Sequence, residues 1–186
     1  TSNIRPLDIV FQTVSAISTT GANVPTTNAM AIWPSFTLLI ICILMLIGGS
    51  SGSTVGSIKV IRVITFLKGI NSTVINQLSP EGRVLSVKIG GKTIRDKEIK
   101  ESSAYIALFM LFIFLGWLVM LMYGYEPLQS FFNVISAQGN NGVWIGSAVS
   151  DIPDEVKYML IGNMWIGRLA IIPVLVLCRS LYETLK

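Results

Sequence analysis

Histidine is absent from this sequence, and cysteine occurs only twice, at Cys42 and Cys178. Each cysteine lies alone in an apolar run, where a small buried thiol is more common than a disulfide or a metal ligand. Zinc sites are built from clustered cysteine and histidine side chains. The sequence therefore argues against a zinc or haem centre, and we expect no covalently bound cofactor.

Charged side chains are also scarce. They make up 13% of the 186 residues, whereas 52% of the residues are hydrophobic. Soluble domains carry about 25% charged residues, so this composition predicts a membrane protein, and its long apolar runs predict an all-α integral membrane fold. A helix needs about 20 apolar residues to cross a bilayer core about 30 Å thick. Shorter apolar segments can enter the membrane but cannot cross it.

The basic residues are concentrated in the middle of the chain. Nine of the fourteen Lys and Arg residues lie between Lys59 and Lys100. By the positive-inside rule, the section 68–101 is expected to be cytoplasmic in a multi-pass protein. This orientation explains the basic cluster, so we expect no nucleic-acid partner.

One short pattern occurs twice. FQTVSAISTTGANV, from Phe11 to Val24, returns 121 positions later as FNVISAQGNNGVW, from Phe132 to Trp144. In each copy, an apolar stretch too short to span the bilayer leads into a polar loop that contains glycine. Irregular backbone at membrane depth is tolerated only where it is buried in protein or lines a watery cavity. We therefore interpret both copies as re-entrant pore loops.

The apolar periodicity predicts two such units around the cytoplasmic section. The predicted order is a pore helix at 6–17, a filter loop at 18–27, a broken inner helix at 32–67, the cytoplasmic loop at 68–101 with a small hairpin, a span at 102–123, a pore helix at 127–137, a filter loop at 138–146 and an inner helix at 154–182. The first inner helix must be broken, because a straight helix from Trp33 to Leu67 would be about 53 Å long.

The two loops contain the residue types that can bind a dehydrated cation through main-chain oxygens. Glycine accepts positive φ without a steric penalty, which allows successive carbonyls to face one axis. Neither loop contains Asp or Glu, which argues against a divalent ion. The predicted filter residues are Ser18, Thr19, Thr20, Gly21, Ala22, Gly139, Asn140, Asn141, Gly142 and Val143. Ordinary extracellular loops with glycine turns are the structural alternative.

A second glycine-rich segment, GGSSGSTVGS from Gly48 to Ser57, follows the apolar run of the first unit. It lacks the lysine of a phosphate-binding loop and does not follow a strand. Close helix packing would explain its glycines but not its five hydroxyl side chains. We expect an unwound gate in the conduction path. The predicted gate residues are Gly48, Gly49, Ser50, Ser51, Gly52, Ser53 and Thr54.

Arg168 lies in the last apolar segment, about 15 Å of helix from Arg179 and therefore near mid-membrane. An ionisable residue at this depth is expected to face a partner or a cavity and to have a function. In a cation path it would act as a barrier. The alternative is a structural anchor that bonds helix-end carbonyls.

These motifs resemble those of the Trk/Ktr family of potassium transporters. STTGANV looks like the filter loop of the family's third repeat, and GGSSGSTVGSIKVIR is similar to that repeat's inner helix with its intramembrane gate. SAQGNNGVWIG and NMWIGRL look like the filter and inner helix of the fourth repeat. The family has four helix–pore-loop–helix repeats around one pore. The resemblance implies that residues 1–67 form a third repeat without its first helix and residues 102–186 a fourth repeat.

The resemblance also implies potassium uptake across the inner (cell) membrane of a prokaryote. In that case K⁺ would bind at the carbonyls of Thr20, Gly21, Asn141 and Gly142, with Na⁺ as a second candidate ion, and Arg168 would be the pore charge. The implied partners are the remaining two pore repeats of the same protein, a second copy in a homodimer, a cytosolic nucleotide-binding regulatory subunit and membrane lipid.

Two other classes of protein stay open on the sequence alone. Broken helices also build the midplane sites of secondary transporters for small solutes. A membrane-embedded lipid enzyme is disfavoured, because the sequence offers no histidine, cysteine pair or carboxylate at membrane depth as a general base. We therefore expect no enzymatic activity.

Overall fold

A computed structural model of the chain describes residues 6–22, 33–50, 52–53, 55–78, 88–146, 152–169, 179–180 and 183. Some predicted features lie outside the described residues. They are positions 23–27 of the first loop, Ser51 and Thr54 of the Gly/Ser segment, positions 79–87 of the cytoplasmic section, and positions 170–178 of the last helix, including Cys178.

Helices dominate the described part of the chain. The elements are α1 (Pro6–Ile17), α2 (Ser35–Leu46), α3 (Val60–Leu78), β1 (Lys88–Ile89), β2 (Lys92–Thr93), α4 (Asp96–Met122), α5 (Pro127–Gln138) and α6 (Asp154–Leu169). The bounds of α1 are those of the predicted first pore helix, and α5 ends one residue after its predicted end.

The first inner helix is interrupted at the Gly/Ser segment. α2 ends at Leu46, and Ile47 after it has an extended backbone with φ −110° and ψ 94°. Gly49 then has φ +75°, a left-handed conformation that glycine adopts without a steric penalty. Helical geometry returns at Val60, where α3 begins. The break therefore divides one long apolar run into two helices.

The two helices beside the section 68–101 are longer than predicted. α3 continues to Leu78 rather than ending at Leu67, because apolar residues recur at helical spacing along this stretch. α4 begins at Asp96, before its predicted start at Ser102. Its first turn contains two acidic residues, which the positive end of the helix stabilises. The section 68–101 is therefore helical at both ends.

Between these helices lies the small hairpin. β1 and β2 pair antiparallel, with Lys88 opposite Thr93. The connecting residues Gly90 and Gly91 have φ +56° and +82°. Positive φ at both central residues is typical of the tight type I′ turn that joins hairpin strands.

α5 lies at the centre of the described structure, where it contacts α2, α4 and α6. Every residue from Phe132 to Gln138 is buried. Met45, Phe109, Ile113 and Met120 of the neighbouring helices belong to the same core. Because lipid is as apolar as these side chains, close packing rather than water exclusion holds such a core together in a membrane.

The outer face of α4 is apolar and exposed. Met110, Leu111, Phe114 and Leu115 each expose between 42% and 49% of their surface. Within the described residues, α4 is the one helix with the length and apolar composition needed to cross a membrane. An apolar face of this kind suits contact with lipid.

α1 and α5, the two copies of the repeated helix, differ strongly in burial. Phe132 and Ile135 of α5 expose 0% and 1% of their surface, whereas their counterparts Phe11 and Val14 of α1 expose 47% and 59%. α5 has neighbours on three sides, whereas α1 packs against α2. Within the described part of the chain, the outer side of α1 is therefore an uncovered apolar face.

The packing of α4 against α5 and α6 yields a test at Gly116. A Cβ there would lie 2.6 Å from Asn163 Nδ2 and 3.0 Å from Val134 Cγ1, whereas a Cβ on Gly162 of α6 would meet nothing within 4 Å. We expect Gly116→Val in the complete protein to lower the free energy of unfolding by about 1–3 kcal/mol through overpacking. Thermal unfolding in detergent measures this loss. Gly162→Val is the matched control, and equal melting temperatures for the two variants would contradict the packing described.

Candidate functional site

The two predicted filter loops leave their helices through the same hydrogen bonds. Three amide–carbonyl pairs in the first copy recur in the second at the offset of 121 positions. They are Ser18 N to Val14 O (3.0 Å), Thr19 N to Ala16 O (3.4 Å) and Thr20 N to Ser15 O (3.1 Å), and Gly139 N to Ile135 O (2.8 Å), Asn140 N to Ala137 O (3.0 Å) and Asn141 N to Ser136 O (2.8 Å). The repeat in the sequence is therefore also a repeat in the backbone.

The backbone conformation of the two loops repeats as well. Thr19 and Gly21 have φ +51° and +72°, and Asn140 and Gly142 have φ +55° and +79°. Thr20 and Asn141, which lie between them, do not have positive φ. In an extended strand successive carbonyls point in opposite directions, so alternating the sign of φ turns them toward the same side. Both loops thus have a backbone suited to presenting a row of oxygens.

The two loops meet. A Cβ on Gly21 would overlap the carbonyl oxygen of Asn141, and it would lie 3.2 Å from the carbonyl carbon of Asn141 and 3.6 Å from Gly142 Cα. Only a residue without a side chain fits in this position. The fold therefore brings the tips of the two predicted filter loops into direct contact, although 121 residues separate them in the sequence.

A buried asparagine supports the second loop from behind. Asn133 Nδ2 donates to the carbonyl of Ile145 at 2.8 Å, and its Oδ1 accepts from the Ile145 amide at 2.9 Å. Asn133 exposes 3% of its surface. These two bonds fix the chain that leaves the loop against the middle of α5. In the first copy, the Ser15 hydroxyl donates to the Ala22 carbonyl at 2.8 Å and holds that loop back in a similar way.

Asn133 is a residue that the sequence analysis missed. Its repeat counterpart is Gln12, which is also an amide side chain and exposes 1% of its surface. An amide at the same position of two apolar half-helices is a detectable signal. Buried polar side chains are normally hydrogen-bonded, so such a pair indicates a bond to nearby irregular backbone.

The Gly/Ser segment packs against the carboxyl ends of both short helices, α1 and α5. A Cβ on Gly48 would lie 2.9 Å from the Ile17 carbonyl oxygen at the end of α1. A Cβ on Gly56 would lie 2.8 Å from the Gly139 carbonyl oxygen just after α5. The carboxyl end of a helix carries about half a negative charge. The segment therefore occupies a region of negative potential that favours a cation.

Backbone bonds also close the two ends of this segment onto each other. Ile58 N donates to Leu46 O at 2.9 Å, and Gly48 N donates to Ile58 O at 3.3 Å. Ile47 and Ile58 form a parallel bridge. Among the described residues of the segment, Ser50 and Gly52 are exposed, and Gly48, Gly56 and Ser57 are buried.

Arg168 lies in the last described turn of α6, with an exposed side chain. Its neighbour Gly167 contacts the end of α5 closely, since a Cβ on Gly167 would overlap the Gln138 carbonyl oxygen and lie 2.9 Å from its carbonyl carbon. The arginine is thus placed one residue from a backbone contact with the base of the second loop. The importance of Gly167 was also missed in the sequence, because a single glycine in a helix does not reveal its neighbour.

Charged ligands for a metal do not gather anywhere in the described part of the chain. No group of three or more His, Cys, Asp or Glu residues occurs there that could hold a metal ion. What the site offers is main-chain oxygen and the negative ends of α1 and α5. Such a site can replace part of the water shell of a weakly hydrated monovalent cation.

Comparison with a family profile described as cation transport protein, TrkH, gives a match over residues 2–184. An uncharacterized cation transporter of Methanocaldococcus jannaschii is 35% identical over 181 residues, covering 97% of this chain and 38% of the relative. The Trk system potassium uptake protein TrkG of Escherichia coli is 34% identical over 154 residues, covering 81% of this chain and 32% of the relative. The chain thus spans about a third of these relatives.

Among solved structures, the crystal structure of the potassium transporter TrkH from Vibrio parahaemolyticus superposes with a TM-score of 0.77. The two chains are 29% identical, and the match covers 90% of this chain and 36% of that one. This similarity confirms the predicted all-α membrane fold.

The two bonds of Asn133 lead to a prediction about stability. In Asn133→Leu, the amide and carbonyl of Ile145 would both stay buried without a partner, at a cost of about 1–3 kcal/mol for each group. We expect a clearly lower unfolding temperature for the complete protein in detergent.

Thr13→Val is the control for this change. The Thr13 hydroxyl donates to Ile9 within its own helix at 2.8 Å and is exposed, so its loss should change the free energy of unfolding by no more than about 0.5 kcal/mol. If the two variants unfold at the same temperature, the Asn133 bonds do not support the loop.

Proposed function

The chain belongs to the TrkH family of cation transport proteins, and from this premise we propose that it forms part of a potassium-conducting pore. The family match confirms the resemblance to Trk/Ktr proteins that the sequence motifs indicated. The proposed ion path runs alongside the two touching loop tips and past the Gly/Ser segment. In this proposal the chain contributes two of the four filter walls.

The contact between Gly21 and Asn141 is the observation that carries the proposal. It joins the two loops at the residues whose backbone alternates in φ. Residues 18–22 and 139–143 would form the filter walls, and K⁺ would bind at the carbonyls of Thr20, Gly21, Asn141 and Gly142. Neutral carbonyls bind a monovalent ion without holding it too strongly to leave, which conduction requires.

The Gly/Ser segment is proposed as the gate. It lies at the ends of α1 and α5, where an ion leaving the filter would pass. The exposed hydroxyl of Ser50 and the exposed Gly52 suit a segment that can move aside without losing a packed core. Ser51 and Thr54, which complete the predicted gate, lie outside the described residues.

The uncovered face of α1 supports a proposal about the rest of the pore. α5 is enclosed by three helices, whereas the matching apolar side of α1 is exposed. We propose that further repeats of the same protein cover this face. Residues 1–67 would then belong to a third repeat, and residues 102–186 to the fourth.

The remaining parts of the proposal concern location and partners. The apolar face of α4 would meet the lipid of a prokaryotic cell membrane, with the section 68–101 in the cytoplasm. A homodimer and a cytosolic nucleotide-binding regulatory subunit are the proposed protein partners, the latter docking on the basic cytoplasmic side. K⁺ is the proposed substrate, with Na⁺ as a second ion.

The filter proposal is tested by Gly21→Ala in the complete protein, expressed in a bacterial strain that lacks potassium uptake. A Cβ at this position would overlap the Asn141 carbonyl, and φ +72° would strain an alanine. We expect loss of growth at low potassium and at least a tenfold loss of K⁺ uptake, since two proposed binding sites would be displaced.

Gly91→Ala is the matched control. Gly91 has φ +82°, so alanine there meets a similar backbone strain of about 1–2 kcal/mol, but it lies in the cytoplasmic hairpin with open space around it. This variant should keep its uptake. Normal uptake by Gly21→Ala, at equal protein amounts, would remove the central residue of the proposal.

Arg168 provides a second functional test. A positive charge near the ion path raises the energy barrier for a passing cation by about 1 kcal/mol, even where water screens the two charges from each other. We expect Arg168→Gln to raise the Rb⁺ flux of reconstituted protein about fivefold, and Arg168→Lys to change it little.

Arg179→Gln serves as the control for charge loss on the cytoplasmic side. Arg179 pairs with Glu183 at 2.9 Å and is exposed, so its removal should not alter the flux. An equal flux for Arg168→Gln and the unmodified protein would exclude Arg168 from the barrier.

A further inference from the structure

Asn140 differs from its repeat counterpart, Thr19, in what its side chain does. Both residues have positive φ, +55° and +51°. The Asn140 carboxamide, however, leaves its own loop and donates from Nδ2 to the Met164 carbonyl of α6 at 3.1 Å. A longer contact of 3.4 Å joins the same Nδ2 to the Gln138 carbonyl. In the described part of the chain, the first loop has no comparable bond to an inner helix.

Two glycines allow other elements to reach this carboxamide. A Cβ on Gly167 of α6 would lie 3.2 Å from Asn140 Nδ2. A Cβ on Gly56, at the far end of the Gly/Ser segment, would lie 2.8 Å from Asn140 Nδ2 and 2.8 Å from the Gly139 carbonyl oxygen. The carboxamide therefore stands where three parts of the molecule meet: the second loop, the inner helix and the Gly/Ser segment.

We infer that Asn140 is a positioning residue through which the Gly/Ser segment sets the geometry of the second filter loop. The inference rests on the proposed pore. When the segment moves, Gly56 either moves away from the Asn140 carboxamide and the Gly139 carbonyl or presses against them. The bond to Met164 holds the carboxamide in place on the other side. Displacement of the segment therefore shifts the neighbouring carbonyls of residues 139–141, so the gate controls ion selectivity as well as passage.

The residue type at this position fits the role. Asparagine is among the few residues with a side chain that readily adopt positive φ, and its amide nitrogen supplies an additional donor to a helix carbonyl. Aspartate would have the same shape without a donor. Glycine would keep the positive φ and remove the side chain, so Asn140→Gly tests the hydrogen bond to Met164 without changing the backbone conformation.

The experiment uses the complete protein, reconstituted in vesicles, and measures the ratio of K⁺ to Na⁺ uptake. We expect Asn140→Gly to lower this ratio about threefold to tenfold, which corresponds to one lost hydrogen bond. Gly56→Ala, which presses on the same carboxamide from the other side, should lower the ratio as well. A merely structural defect reduces the amount of active protein and scales both fluxes equally, so it leaves the ratio unchanged.

Gly162→Ala is the control variant, because a Cβ on Gly162 meets nothing within 4 Å and the residue lies on the same helix as Met164. Its ratio should equal that of the unmodified protein. If Asn140→Gly fails to fold, Gly56→Ala decides the question alone.

The outcomes separate this inference from the function on which it rests. Unchanged ratios in Asn140→Gly and Gly56→Ala, with uptake intact, overturn the inference and leave the proposed pore standing. Absence of K⁺ uptake by the unmodified protein overturns the proposed function itself.

Discussion

The close approach of two backbones at Gly21 and Asn141 is the constraint on which the rest of this structure depends. The two short helices, α1 and α5, must end close together and point their carboxyl ends toward a common region for the loops to touch. α2, α4 and α6 surround α5 in a way that fixes this position. The missing side chain at Gly21 then permits a contact that any other residue would block. Helix packing thus fixes where the carbonyl oxygen of Asn141 lies against Gly21.

Much of the architecture could be predicted from the sequence, because its strongest signals are local. The start of α6 at Asp154, the bounds of α1 and the break after α2 follow from apolar length and from glycine and proline positions. The polarity of residues 68–78 suggested a loop, so the prediction ended the inner helix at Leu67, whereas α3 continues to Leu78. Polar residues on the exposed side of an amphipathic helix do not end it.

The candidate site was predictable only in part. The offset of 121 positions identified both loops, and their matching φ angles extend that repeat to the backbone. The contacts of Asn133 with Ile145, and of Gly56 and Gly167 with the second loop, join residues distant along the chain. Side-chain patterns report periodicity and burial within one element, and they do not specify which atoms of another element will be adjacent.

The closed neck between Leu46 and Ile58 has a mechanical consequence. The two ends of the Gly/Ser segment are bonded to each other, so the base of the segment ties α2 to α3. A change at its described tip residues, Ser50, Gly52 and Ser53, does not require either helix to move. Loop motions take about nanoseconds to microseconds, whereas collective helix movements take about microseconds to milliseconds. A rearrangement confined to the described tip residues Ser50, Gly52 and Ser53 leaves the main-chain bonds at the base intact and belongs to the faster of these timescales.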